Sequence, residues 1–170
     1  MTKYDFDKII DRCNTDCLKY DFAIQRGRPA DVLPFWVADM DFPIAREIQE
    51  ALVERCQHTI FGYSESTEAY FHAVRDWYTK HFNWSPKAEW LTKTPGIVFA
   101  LAMAVKAFTQ NGEGVLVQQP VYYPFSEVIE DNERKLINSP LILKNGYYEM
   151  DFADLEEKIV ANNVKLMLLC

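Results

Sequence analysis

The sequence lacks any apolar run long enough to cross a membrane. Its longest run extends from Ile97 to Val105, whereas a membrane-spanning helix needs about 20 apolar residues. The first residues, MTKYDFDK, contain no apolar segment of the kind that a secretory signal requires. We therefore expect neither a membrane association nor a signal peptide.

Clusters of basic residues are also missing. The chain has 18 Lys and Arg residues against 25 Asp and Glu residues, which gives a formal net charge of −7. A protein that binds nucleic acid needs a basic surface to neutralise phosphates. We therefore expect no nucleic-acid partner.

Several motifs of metal and nucleophile sites are absent as well. The four cysteines, Cys13, Cys17, Cys56 and Cys170, match neither a disulfide framework nor a zinc pattern. No histidine pair has metal-ligand spacing, and no serine lies in a Gly-x-Ser-x-Gly turn. These absences predict reduced thiols, a cytoplasmic location and no metal.

The first part of the chain differs from the rest. The chain has 170 residues, of which 49% are hydrophobic and 25% charged, as in globular proteins. Residues 1–45 are interrupted by several prolines, and we expect an arm with a short helix over 5–20 and a short strand at 33–37. Residues 46–170 are predicted to form the first part of a larger domain.

From residue 44 onward, helix and strand patterns alternate. The predicted helices are 44–57, 67–82, 97–108, 123–132 and 152–162, and the predicted strands are 90–92, 114–118, 135–138 and 164–170. Helix 97–108 is apolar nearly all round and should be buried on most sides. Asn145-Gly146 predicts a hairpin turn, and Asp151 can cap the helix after it. The alternation predicts the α/β class, with a mainly parallel sheet flanked by helices.

The segment Thr94-Pro95-Gly96-Ile97-Val98 is the first candidate site. A glycine here precedes a helix, and the free N–H groups of a first helical turn can hold a phosphate. Backbone groups of Gly96, Ile97 and Val98 would make the contacts, so the side chains can be apolar. The alternative is an ordinary turn between a strand and a helix.

Two other segments carry candidate residues. Tyr122 follows strand 114–118, where α/β proteins bind ligands, and its ring can stack on an aromatic group. The alternative is a tyrosine without a ligand. Asp39 and Asp41 form an Asp-x-Asp pair that can hold Mg²⁺, but no second acidic cluster accompanies them and a turn or capping role explains them better.

Together these pieces resemble a known family. The stretch LPFWVADMDF at 33–42, then Phe61-Gly62-Tyr63, then TPGIV at 94–98, then Pro120-Val121-Tyr122 occur in the order found in MalY/PatB-type cystathionine β-lyases. These are class I/II aminotransferase-like enzymes of the fold-type-I group, which use pyridoxal 5′-phosphate (PLP). The resemblance covers essentially the whole chain, and the WVADMDF block indicates the C–S lyase branch.

The resemblance implies a role for each matched segment. Gly96, Ile97 and Val98 would hold the PLP phosphate, and Tyr122 would stack on the pyridine ring. Tyr63 would reach the cofactor phosphate of a second subunit, which implies a homodimer. The carboxylate side of an amino-acid substrate would be lined by Trp36, Val37 and Ala38.

One part of the family pattern is missing. The lysine that carries PLP lies far beyond the C-terminal end of this sequence in the family, and no lysine here occupies its context. The predicted strand at 164–170 also stops where a functional loop would begin. We therefore expect the first part of a longer C–S β-lyase, with no catalytic residue in these 170 residues. The alternatives are an aminotransferase and a non-catalytic binding or regulatory protein.

Overall fold

The computed structural model describes residues 4–170 and divides the chain into two compact units. The first unit ends at Glu65 and the second comprises Ser66–Cys170. The predicted division between an arm at 1–45 and a larger domain at 46–170 stays a prediction.

The first unit is mostly irregular in its described part. Its elements are a 3₁₀ turn at Ile24–Arg26 and helix α1 at Arg46–Gln57. The predicted helix at 5–20 is wrong, because the side chain of Asp21 accepts hydrogen bonds from backbone N–H groups of this stretch and folds it into turns. The predicted strand at 33–37 is also wrong, since it lies beside no partner strand among the described residues.

The second unit contains the regular α/β part of the chain. Its helices are α2 (Glu68–Phe82), α3 (Ile97–Phe108), α4 (Pro124–Glu130) and α5 (Phe152–Ala161). Its strands are β1 (Gly114–Val117), β2 (Lys135–Asn138), β3 (Ile142–Lys144), β4 (Tyr147–Glu149) and β5 (Leu166–Met167). The predicted strand at 90–92 is wrong, because a 3₁₀ turn occupies Ala88–Trp90.

A parallel sheet forms the centre of this unit. Its strand order is β2-β1-β5, with Val115 opposite Leu136 on one side and Leu166 on the other. Because the strands are parallel, their carboxyl ends share one edge of the sheet. Strands β3 and β4 form a separate antiparallel hairpin.

The core of the second unit lies between this sheet and helices α3 and α4. The buried apolar residues of this cluster are Val105, Val115, Val117, Phe125, Val128, Ile129 and Leu168. Each fully buried side chain of this kind contributes about 1.5–3 kcal/mol. Helix α3 was expected to be buried on most sides, but Val105 is its one buried residue, whereas Ile97 and Phe108 are exposed.

Local signals in the second unit agree with the sequence. Asn145 and Gly146 both have positive φ, 52° and 83°, as a two-residue hairpin turn requires. The Asp151 side chain accepts hydrogen bonds from the backbone N–H groups of Ala153 and Asp154 and so caps α5. Both predictions are confirmed.

Candidate functional site

Helix α3 begins without a side-chain cap. Gly96 stands at its N-cap in an extended conformation, with φ 165°, and no side chain of the described residues bonds to the helix start. The Thr94 hydroxyl donates instead to the Gly96 carbonyl oxygen, at 3.0 Å. A Cβ at Gly96 would have no heavy atom of residues 4–170 within 4 Å. The backbone of Gly96, at the start of α3, therefore borders open space.

Charge distinguishes α3 from the other α-helices that the structure describes. Its first turn carries no acidic residue. The other four helices each have one there, at Glu47, Glu68, Glu127 and Asp154. An acidic side chain would compete with an anion for the positive end of the helix dipole. Among the α-helices of the described chain, α3 is the one whose start has no such competitor.

The path of the chain places the start of α3 towards the carboxyl edge of the sheet. Leu101, Ala102 and Val105 pack on the core beside β1. The helix ends at Phe108, a few residues before β1 begins at Gly114. Helix and strand therefore run in opposite directions, and the helix start lies towards the carboxyl end of β1.

A cavity of about 340 Å³ lies at this same edge. Residues that follow the ends of β1, β2, β4 and β5 line it: Gln118, Pro120, Val121, Tyr122, Leu141, Met150, Leu169 and Cys170. The Tyr122 ring is half-exposed, and Tyr123 packs against it edge-on, with 5.1 Å between ring centroids. Residues 96–98 do not line this cavity, although they begin the helix that starts at the same edge.

The loop before Tyr122 is braced by its neighbour in the sheet. The backbone N–H of Gln119 donates to Asn138 Oδ1 at 3.1 Å, and Asn138 Nδ2 donates to Gln119 Oε1 at 2.8 Å. The Leu141 N–H also donates to the Gln119 carbonyl oxygen at 2.8 Å. These bonds join the ends of β1 and β2 and fix the position from which Tyr122 projects.

Gln118 is a cavity residue that the sequence did not single out. Its side chain is buried, and neither amide atom has a hydrogen-bond partner among the described residues. Buried amides without partners are uncommon in folded proteins. The one available signal was a polar residue directly after a buried apolar strand.

The candidate substrate segment lies in the first unit. Trp36 and Val37 are half-buried and Ala38 is exposed. The Arg28 guanidinium lies 4.4 Å from the centroid of the Trp36 ring. Val37 has φ 62°, which is rare for a β-branched residue and costs about 1–2 kcal/mol.

Asp39 and Asp41 are engaged in ion pairs. Arg12 Nη2 donates to Asp39, and Arg12 Nη1 donates to Asp41 Oδ1 at 2.5 Å. Hydrogen bonding from Arg12 lowers the pKa of both carboxyl groups below the usual 3.8. The Asp-x-Asp pair therefore joins distant parts of the first unit through Arg12. This role differs from both the magnesium interpretation and the turn or capping interpretation.

Tyr63 also belongs to the first unit, where its side chain is fully exposed. Neighbouring Ile60 and Phe61 are exposed as well. The structure therefore brings Tyr122 and the start of α3 to one edge of the second unit. The segment 36–38 and Tyr63 lie in the other unit.

Residues 4–170 show features of neither a membrane span nor a metal site. None of the helices is long and apolar enough to cross a membrane. No group of three or more potential metal-ligating side chains occurs in this part of the chain.

Comparison with known proteins gives the family. No family model matches the chain. Over 165 residues, or 97% of the chain, it is 44% identical to the cystathionine β-lyase PatB of Bacillus subtilis. The chain belongs to the MalY/PatB-type cystathionine β-lyase family. It spans only 43% of the length of PatB.

Solved structures agree with this family. A PLP-bound C–S lyase from Staphylococcus hominis has a TM-score of 0.89 and 32% identity, covering 98% of this chain and 42% of that one. A PLP-bound candidate aminotransferase from Clostridium difficile also has a TM-score of 0.89, with 39% identity over 98% of this chain and 43% of that one. The predicted fold is confirmed: the chain forms the first part of the aminotransferase-like fold of PLP-dependent enzymes.

Proposed function

We propose that the natural-length protein is a PLP-dependent C–S β-lyase that cleaves cystathionine or related cysteine S-conjugates to a thiol, pyruvate and ammonia. The observation that carries the proposal is 44% identity to PatB along 97% of the chain. Because the chain spans less than half of that relative, the activity belongs to the longer protein.

The start of α3 fits the phosphate of PLP. It offers N–H groups, has no competing acidic side chain in the first turn and has open space beside Gly96. These features suit an anion held by backbone groups and the helix dipole. We assign this contact to Gly96, Ile97 and Val98. When bound, PLP supplies an electron sink for removal of the Cα proton and loss of the thiolate from Cβ.

Tyr122 would hold the ring of the cofactor. It projects into the cavity at the carboxyl edge of the sheet, on a loop that Asn138 braces. Stacking of aromatic rings contributes about 0.5–1.5 kcal/mol beyond the burial of area. This residue therefore orients the cofactor, while the start of α3 anchors its phosphate.

The first unit would supply the substrate contacts. We assign Trp36, Val37 and Ala38 to the carboxylate side of the amino-acid substrate. The fully exposed Tyr63 suits a residue that reaches a second subunit, so we propose a homodimer with shared active sites. The lysine that carries PLP is supplied by a part of the protein outside this chain. A cytoplasmic location stays a prediction.

Pyruvate release from cystathionine tests the function. The natural-length protein, reconstituted with PLP, should release one pyruvate for each thiol formed and none without the cofactor. A protein that binds PLP but releases no pyruvate would contradict the β-lyase assignment. A protein without a PLP absorbance band would contradict the cofactor assignment as well.

Gly96→Val tests the phosphate site. Valine adopts the extended backbone of residue 96 without strain, and its Cβ meets no described atom. The variant should fold normally, as circular dichroism can verify, yet its Cβ would block the approach of a phosphate to the backbone. We expect PLP affinity to fall about tenfold or more, because charge-assisted bonds contribute about 1.5–3 kcal/mol each. Normal PLP loading in a folded variant would contradict the assignment of the phosphate to this helix start.

Tyr122→Ala tests the stacking role, with Tyr123→Ala as its control. The two tyrosines are almost equally exposed, at 46% and 45%, but Tyr122 is among the residues that line the cavity and Tyr123 is not. The Tyr122 variant should bind PLP more weakly by about 0.5–1.5 kcal/mol and shift its absorbance. Equal PLP affinity in the two variants would contradict the assignment.

A second candidate function is an aminotransferase. The resemblance to a C. difficile candidate aminotransferase favours it. The natural-length protein would then convert a supplied oxo acid into a new amino acid, one for each amino donor consumed. That product, without pyruvate from cystathionine, would replace the lyase assignment.

A further inference from the structure

The segment from Trp36 to Phe42 has no regular secondary structure to support it. None of these residues belongs to a helix or strand in the described chain. Val37 nevertheless has φ 62°, a conformation that a β-branched residue adopts only when its surroundings impose it. Side-chain contacts must therefore hold the segment.

Arg12 makes contacts of this kind at two points. Its Nη1 donates to Asp41 Oδ1 at 2.5 Å, and its Nη2 donates to Asp39 Oδ2. A guanidinium group is planar and presents its donors in a fixed fork. One rigid group thus sets the separation of the two carboxylates, two and four residues after Val37.

Lys19 holds the same segment by its backbone. Its Nζ donates to the Asp39 carbonyl oxygen at 3.1 Å and to Asp41 Oδ2 at 3.3 Å. The Lys19 side chain is only 9% exposed, so these bonds are screened less by solvent than those of a surface lysine. A bond to a carbonyl oxygen restricts the peptide group itself.

Arg12 is in turn held by its own neighbourhood. Its Nη2 lies 3.1 Å from Cys17 Sγ, and its guanidinium lies 5.5 Å from the centroid of the Tyr20 ring. The Asp21 carboxylate accepts hydrogen bonds from the backbone N–H groups of Thr15 and Cys17 and so fixes the loop that carries Lys19. The two cations therefore project from an ordered loop.

We propose that Arg12 is a positioning residue for the candidate substrate segment. By binding Asp39 and Asp41 together, it holds residues 36–38, and Val37 in its left-handed conformation, in the arrangement that receives the substrate carboxylate. The inference rests on the proposed function, which assigns Trp36, Val37 and Ala38 to the substrate. It gives both carboxylates of the WVADMDF block a structural role.

The test uses the natural-length protein loaded with PLP and the variant Arg12→Gln. The first readout is hydrogen exchange of backbone amides in residues 36–42, which we expect to become about tenfold faster as the segment is released. The second is a split in kinetic constants for cystathionine, with KM rising about tenfold and kcat changing by less than about threefold. PLP occupancy should stay at the level of the parent.

Two further variants and a control complete the test. Arg12→Lys should restore only part of both effects, because a point charge cannot replace the fork. Asp41→Asn keeps the size of the side chain. It should raise the exchange rate of residues 36–42 and the KM in the same way, but by less than Arg12→Gln. Arg46→Gln removes an exposed arginine that pairs with Glu50 in the same unit, at 2.7 Å, and should behave as the parent.

The outcomes separate the two proposals. Parent-like hydrogen exchange at 36–42 and a parent-like KM, in either Arg12→Gln or Asp41→Asn, would overturn the positioning role. If the parent itself released no pyruvate, the proposed function would fail. The exchange experiment would still decide whether Arg12 holds the segment.

Discussion

The two units of this chain are stabilised by different interactions. Among residues 4–65, Lys19 and Ala23 are the only buried residues, and ion pairs connect the chain. The second unit instead buries a continuous apolar cluster between a parallel sheet and two helices. The region that presents the candidate substrate segment is therefore held by directional charge contacts, whereas the region assigned to the cofactor is held by packing.

Removing a buried side chain from the second unit should have the largest effect. Ile129 in α4 is fully buried, and Ile129→Ala should lower the free energy of unfolding by about 2–5 kcal/mol. The matched control is Ile48→Ala in α1, because Ile48 is an exposed isoleucine of the first unit. Urea unfolding of the natural-length protein measures both. Equal losses for the two variants would contradict the contrast between the units.

Acid should loosen the first unit before the second. The pKa values of Asp39 and Asp41 are lowered by hydrogen bonds from Arg12, so their stabilisation is complete above the usual Asp value. It is lost as the pH falls through the lowered pKa values. Asp154 in the second unit also has a lowered pKa, through its bonds with Ser139 and Lys158, but the apolar core there does not titrate.

Hydrogen exchange at pH 7 and at about pH 3, corrected for the intrinsic rate of each amide, measures this difference. Residues 36–42 should lose protection at the lower pH, whereas β1 should keep it. Simultaneous loss in both regions would mean that the ion pairs are not the weaker support.

Relieving the backbone at Val37 should have the smallest effect on stability. Val37→Gly removes the strain of φ 62° but adds freedom to the unfolded chain, and the two terms nearly cancel to within about 1 kcal/mol. Thermal unfolding measures the net change. A loss of several kcal/mol would indicate that the valine side chain stabilises the protein by packing. It would contradict the view that the backbone at Val37 is strained.

The same contrast decides what the sequence could predict. Helix α3 was predicted at 97–108 and found at those residues, and the Asn145-Gly146 turn and the Asp151 cap were also predicted. All three depend on neighbouring residues, whose pattern is visible in a sequence. The shorter β5, at Leu166–Met167 instead of 164–170, shows that apolar character alone does not set the length of a paired strand.

Predictions failed where distant side chains determine the structure. Arg12 contacts Asp39 and Asp41 across 27 and 29 residues, and no periodicity reports such a pair. The positive φ of Val37 was equally invisible, because valine carries no signal for it. The start of α3 and Tyr122 could be named as candidates because a glycine before a helix and a tyrosine after a strand are local patterns. Gln118 was missed because its burial depends on the whole sheet edge.

The position of β1 has a consequence for synthesis on the ribosome. β1 lies between β2 and β5, and β2 follows it closely along the chain, whereas β5 begins only at Leu166. Between the emergence of Asn138 and that of Leu166, one side of β1 can have no native partner strand from this chain. An open strand edge made of Val115, Leu116 and Val117 can pair with other chains. The nascent protein therefore passes through an interval in which β1, a fully buried strand of the folded chain, is open to aggregation.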